Sequence, residues 1–246
     1  MDNARRTGDI SAATVRQRAR EEKAEWRDGR RNELGLPRYS LGEEIANAVT
    51  HGIGALLALV AIFLLRAAAP PDWFTQTIVT VYGGTLFLLY TVSTLYHALG
   101  VCKAKRVFQV LDHCTIFLLI AGSYTPITMI SLAGKTGFVL FSIVWAAALA
   151  GILLNIVDMK RFRVLSMVCY IAMGWIVIFA FGPLVQAVPV TDIVLLVAGG
   201  VAYTVGAVIY SKGKGKPYLH AVWHLFVLAG SIMHFVMIYH IVDALS

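Results

Sequence analysis

Seven long apolar stretches dominate this chain, at about 44–69, 75–99, 108–132, 136–157, 164–183, 190–211 and 219–242. A helix rises about 1.5 Å per residue, so roughly twenty apolar residues cross the hydrocarbon of a bilayer. Each stretch therefore predicts a membrane-spanning helix. Polar or helix-breaking residues separate them: Pro70, Pro71 and Asp72; Lys103, Lys105 and Arg106; Gly134 and Lys135; Asp158, Lys160, Arg161 and Arg163; Gly182, Pro183 and Pro189; Lys212, Lys214, Gly215, Lys216 and Pro217. Pro126, in GSYTPI, removes a backbone donor and predicts a kink near one end of the third helix.

Residues 1–40 are different. They hold ten Lys and Arg, several acids and few apolar residues. Arg16, Arg20, Glu21, Glu22 and Glu25 are spaced to support a short surface helix, but nothing there builds a core, so a mobile arm is expected. The expected architecture is all-α: a polar basic arm over 1–40, then a polytopic seven-transmembrane-helix bundle over 41–246.

Composition narrows the class. Hydrophobic residues make up 58% and charged residues only 14%, against about 25% charged in a soluble domain. No apolar core of a cleavable signal peptide stands in the first forty residues. Cys102, Cys114 and Cys169 are scattered without a CxxC pair, so no disulfide framework or cysteine metal site is implied.

A net charge of +7 would point to nucleic acid in a soluble protein. Here its distribution matters more, and no nucleic-acid partner is expected. The first forty residues hold ten basic residues, and the second, fourth and sixth connections three each, which leaves only Arg66 and Lys135 for the other side. Cytoplasmic loops carry the excess of Lys and Arg, so the N-terminus is expected in the cytoplasm and the C-terminus outside. Membrane lipids are the expected partners, at the cell's inner (plasma) membrane. Oligomeric state is left open.

Ionisable groups inside spans cost roughly 3 kcal/mol or more, so they are paired, in a cavity, or functional. Glu44, Asn47 and His51 open the first span. Ser93 and His97 close the second, Asp112 and His113 open the third, and His220 and His224 open the seventh. With the orientation above, all lie at the cytoplasmic end. Outward of them the bundle offers almost nothing ionisable except His234 and the terminal His240 and Asp243.

His220 and His224 are one helical turn apart on one face, a common way to offer two nitrogens to zinc. With His97 they make three nitrogens and leave a fourth tetrahedral position open, the pattern of a site that activates water. Asp112 is the candidate general base and Ser93 a hydrogen-bonding partner of a ligand or substrate carbonyl. Glu44, Asn47 and His51 share a helix face and are candidates to orient the ligands. The plainer readings are a carboxylate at a positive helix end for Glu44, packing for His51, a structural or interfacial role for His113 and an interhelical hydrogen bond for His234.

EEIANAVTHGIG, STLYH, LDH, GSYTPI and HAVWHLFVLAGSIMHF, in that order, resemble the hemolysin III family, the bacterial branch of the progestin and adipoQ receptor family. The resemblance covers about 40–243. It implies a seven-helix bundle with an intramembrane zinc near the cytoplasmic leaflet. The family's S-x3-H falls on Ser93 and His97, its aspartate on Asp112, its H-x3-H on His220 and His224, and its E-x2-N-x3-H on Glu44, Asn47 and His51. Eukaryotic members resemble alkaline ceramidase-type membrane hydrolases, and the bacterial branch is named for cytolysis and linked to membrane fluidity. Four functions follow as expectations: a zinc-dependent lipid amide or ester hydrolase, a non-enzymatic lipid sensor with structural zinc, a pore-former, or a proton carrier through His234.

Overall fold

A computed structural model describes residues 12–213 and 215–246. Among them every regular element is helical. Helix α1 covers Ala12–Leu34, within the segment expected to be an arm. It is exposed almost throughout and is supported by local pairs, Gln17 to Glu21 at 3.0 Å and Arg30 to Glu33 at 2.6 Å. Its end is tied down: Arg31 Nη2 donates to the Tyr39 carbonyl at 3.2 Å, and Leu36 is buried. Residues 1–11 of the expected arm lie outside the described residues.

Seven spans follow, long and apolar enough to cross a membrane. They are α2 (Leu41–Ala68), α3 (Trp73–Ala98), α4 (Lys103–Pro126) with a π-helical turn (Ile127–Ser131), α5 (Lys135–Asp158), α6 (Arg163–Trp175) continued by a 3₁₀ turn and α7 (Phe181–Ala187), α8 (Val190–Lys212) and α9 (Leu219–Asp243). Helix α2 packs on α3 and α9, α3 on α4, α4 on α5, and α8 on α9, while α6 leans on α4, α5 and α8. The span of α4 and its π turn is the most enclosed of the seven. The other faces stay apolar and open, as lipid contact requires: Val157 is 76% and Phe179 89% exposed.

Two breaks shape the interior. Pro126 has no N–H for the Gly122 carbonyl, and the chain passes directly into the π turn. Hydroxyls of Ser123, Thr125 and Thr128 cap the neighbouring carbonyls of Leu119, Ala121 and Tyr124 at 2.8 to 2.9 Å. The second break lies in the fifth span. The sequence placed the end of that helix at Gly182 and Pro183, but the span runs to Ala187. Its helix is interrupted earlier, at Ile176–Ala180. There the Tyr124 hydroxyl accepts from the Val177 N–H at 3.1 Å and donates to the Gly174 carbonyl at 2.9 Å. One phenol thus serves a backbone donor and a backbone acceptor at the break, and Pro183 sits harmlessly in the first turn of α7.

Close helix approach is visible where α8 meets α9. A Cβ on Gly199 would run into the His234 ring, so the absent side chain makes room for that imidazole. Small residues in membrane spans are expected to mark close helix approaches, but Gly84 and Gly174 have nothing within 4 Å of such a Cβ.

Candidate metal centre

The start of α9 fixes the site. Its N-cap, Tyr218, is the one non-glycine residue with positive φ among those described, at 59°. Such a conformation costs roughly 1–3 kcal/mol and needs support. Glu43 supplies it: Oε1 accepts from the Tyr218 N–H at 3.2 Å. Glu43 is itself set by a capping box with Ser40 at the start of α2. Helices α2 and α9 therefore begin side by side, and the residues one or two turns in meet.

His97, from the end of α3, joins His220 and His224 there. Each offers a nitrogen within 4.8 Å of the others, an arrangement that can hold a metal ion. His97 Nε2 and His220 Nε2 are 3.2 Å apart. Two nitrogens on one tetrahedral zinc, at about 2.0–2.1 Å each, stand roughly 3.3 Å apart. His224 Nε2 is buried without a partner, as is His220 Nδ1. Buried ring nitrogens left unpaired are costly, and a cation bound by their lone pairs would satisfy them. The donor set fits a borderline-soft divalent metal such as zinc.

The outer nitrogens are held. His97 Nδ1 lies 2.9 Å from Glu44 Oε2, and a carboxylate can only accept, so Nδ1 carries the proton. In the neutral ring that leaves Nε2 as a lone pair facing His220. Asn47 Nδ2 sits farther off, 3.4 Å from the same Nδ1. Thr50 Oγ1 lies within 3.0 Å of the Ala46 and Asn47 carbonyls and 3.1 Å from His224 Nδ1. The hydroxyl donates to a carbonyl and accepts from the ring, which bares His224 Nε2 in the same way. His51 stacks on the His224 ring, and both His51 nitrogens are unpartnered.

The remaining sequence candidates divide. Glu44 and Asn47 reach the cluster, and His51 reaches it by ring contact. Ser93 is fully buried with its hydroxyl unpartnered, and no hydrogen bond ties it to the histidines. Asp112 is 4% exposed and is not part of the histidine cluster. It lines, with His51 and His113, one end of a cavity of about 160 Å³ between α4, α6, α8 and α9. The walls are mainly apolar, including Ile116, Ile120, Ile171 and Val197, and the other end reaches Phe181. His113 is held by the Gln109 carbonyl at 2.9 Å and Tyr210 at 3.4 Å. His234 bonds the Leu196 carbonyl on α8 at 3.1 Å, an interhelical bond.

Three contributors escaped the sequence reading. Lys105 was counted only as loop charge, yet it is 2% exposed and ion-paired with Glu44 at 2.8 Å. Its signal was present: Lys105, Gln109 and Asp112 follow an i, i+4, i+7 spacing on α4, and all three are buried. Thr50 looked like an ordinary helix threonine. Tyr39 precedes the first span and has no periodicity to reveal it. Its ring lies 5.2 Å from His220 and 5.8 Å from His97, closing the site from the α1 side. Burial, then the neighbouring Tyr210, Glu44 and Asp112, hold its phenol well above the ordinary tyrosine range.

Fold and site define a class, a polytopic helical membrane protein with a buried histidine cluster at one end of its bundle. The particular family is plain from comparison with known proteins. Residues 39–235 match the family described as Haemolysin-III related, and the chain belongs to it. It is 46% identical over 195 residues to Hemolysin-3 of Bacillus cereus, covering 78% of this chain and 89% of that protein. It is 43% identical over 199 residues to the Hemolysin-3 homolog of Bacillus subtilis (strain 168), covering 80% and 93%. The human monocyte to macrophage differentiation factor is similar at 28% over 203 residues, covering 80% and 83%. The matched region begins at Tyr39 and leaves α1 outside.

Proposed function

We propose that this chain is a zinc-dependent protein of the cell's plasma membrane that acts in lipid and fluidity homeostasis by hydrolysing a lipid amide or ester. The observation that carries the reading is the cluster of His97, His220 and His224, whose His224 ring stacks on His51, a residue that lines an apolar cavity together with the buried carboxylate of Asp112. His97, His220 and His224 would hold the metal. Zinc there supplies Lewis-acid polarisation of a carbonyl and acidifies water to near neutrality. Asp112 takes the proton from the attacking water and returns it to the leaving group. The apolar walls take the acyl chain, and the Ser93 hydroxyl, lacking any partner, is free to donate to a substrate oxygen. The basic bias of one set of loops supports placing the site at the cytoplasmic leaflet.

Elemental analysis of the purified protein tests this, beside a folded His220→Ala/His224→Ala variant. About one zinc per chain, lost in the variant, is expected. Wild-type protein that takes up no zinc would end the reading. Zinc-loaded protein that cleaves no lipid amide or ester, in membranes where a control hydrolase does, would leave only the metal.

One observation favours a second reading, a structural zinc in a non-enzymatic lipid sensor. The cluster joins α3 to α9 across 123 positions of sequence, so a metal there staples distant helices. Metal removal would then lower thermal stability in proportion to the loss of function.

A further inference from the structure

Lys105 presents a problem that the proposed chemistry does not solve. A lysine 2% exposed inside a membrane bundle needs every proton of its ammonium satisfied. It has three acceptors and three N–H groups. Nζ lies 2.8 Å from Glu44 Oε1, 2.9 Å from the Tyr96 carbonyl and 2.9 Å from the Leu99 carbonyl. The Tyr96 ring adds a cation–π contact at 5.0 Å.

These partners are not arbitrary. Tyr96 and Leu99 flank His97 at the end of α3, where carbonyls lack helical partners and the dipole favours a cation. Glu44 uses its two oxygens for two purposes: Oε1 takes Lys105 and Oε2 takes His97 Nδ1 at 2.9 Å. The carboxylate is thereby pinned from behind. A free carboxylate at a helix start would rotate among rotamers and turn toward water. Pinned, it meets the imidazole in one orientation and holds one tautomer. Lysine sits on α4, Glu44 on α2 and His97 on α3, so a single ammonium also sets the register of three helix ends.

We infer that Lys105 is a positioning residue for His97, acting through Glu44, and that it sets the metal affinity of the histidine cluster. This rests on the proposed metal reading, and the test separates the two. Full-length wild type, Lys105→Met, Lys105→Gln, Glu44→Gln and the Lys105→Met/Glu44→Gln double variant are purified, stripped and titrated with zinc against a chelator. Thermal unfolding of the metal-free forms checks folding. Lys105→Met and Glu44→Gln are each expected to bind zinc about 10–100-fold more weakly, as for other groups that orient a ligand. The double variant is expected to be no weaker than Glu44→Gln alone, because one pathway is cut twice. Wild-type affinity in a folded Lys105→Met protein overturns the inference. So does a double-variant loss equal to the product of the single losses.

Lys105→Gln guards against a misfolded methionine variant, since its amide still donates to the α3 carbonyls without charge. If neither variant folds, Lys105 is a structural cap and the inference falls. If wild type itself binds no zinc, the metal reading fails, and nitrogen NMR of labelled histidine decides this one. One His97 tautomer, protonated at Nδ1, in wild type and mixed tautomers in the Lys105 variant uphold it; an unchanged tautomer rejects it.

Discussion

His51 lies face to face on His224, with ring centroids 3.5 Å apart and planes 13° from parallel. Neither His51 nitrogen has a partner, so the contact is ring on ring. Thr50 holds the His224 edge while His51 holds its face, and both come from one turn of α2. Removing the face support frees the ring to rotate. His51→Ala is expected to weaken zinc binding about tenfold, within the range for groups that orient a ligand. His51→Phe, which keeps the stack, is expected to bind like wild type. Chelator competition on both variants measures this. Full affinity in His51→Ala would assign the orientation to Thr50 alone.

Much of this was legible in the sequence, for identifiable reasons. Span count and approximate bounds follow from apolar length, a signal that lipid makes strong. His97, His220, His224, Glu44 and Asn47 were legible because membrane burial makes every polar residue conspicuous. Lys105 was misjudged because its neighbours Lys103 and Arg106 made it look like one more loop charge. Helix α4 begins at Lys103 and turns Lys105 inward onto the face that carries Gln109 and Asp112. Tyr39 and the Tyr124 bridge across the fifth span depend on contacts 50 or more positions away, and no local pattern encodes them. The end of the fifth span was misplaced because Pro183 reads as a stop, yet a proline in a first helical turn costs nothing.

Asp112 is buried and lines the cavity without belonging to the histidine cluster, so the proposed proton transfer and metal holding can be tested apart. Asp112→Asn removes the proton acceptor while keeping size and burial. Hydrolysis is expected to fall about 10²–10⁴-fold, the usual contribution of a positioned acid–base group. Zinc per chain is expected to stay as in wild type. Loss of zinc in the variant would make Asp112 a ligand instead, and unchanged turnover would remove it from the chemistry.

The cavity predicts chain-length selectivity. Ala207, on α8, is half-buried and lines it. Ala207→Leu adds three carbons to an apolar wall, with any overpacking costing about 1–3 kcal/mol. If an acyl chain runs through this space, long-chain substrates are expected to lose about tenfold or more in kcat/KM, equivalent to roughly 1.4 kcal/mol of lost transition-state binding. Short-chain analogues are expected to be spared and zinc content unchanged. Equal loss for both lengths would place the acyl chain elsewhere.

The ends of the bundle fix the last expectation. The starts of α2 and α9 are joined by Glu43 and Tyr218, and their far ends by Ser246, whose hydroxyl donates to the Ala68 carbonyl at 2.5 Å. First and seventh spans thus run parallel, as an odd number of crossings demands, with the histidine cluster at their starting end. Charge then chooses the side. Lys103, Arg106, Lys160, Arg161, Lys212 and Lys216 flank that end, against Arg66 and Lys135 at the other. A basic excess holds loops in the cytoplasm. A fluorescent fusion that matures only in the cytoplasm is expected to light at the N-terminus, and a phosphatase active only outside is expected to work at the C-terminus. The reverse pattern would move the metal cluster to the outer leaflet and expose its lipid substrate there.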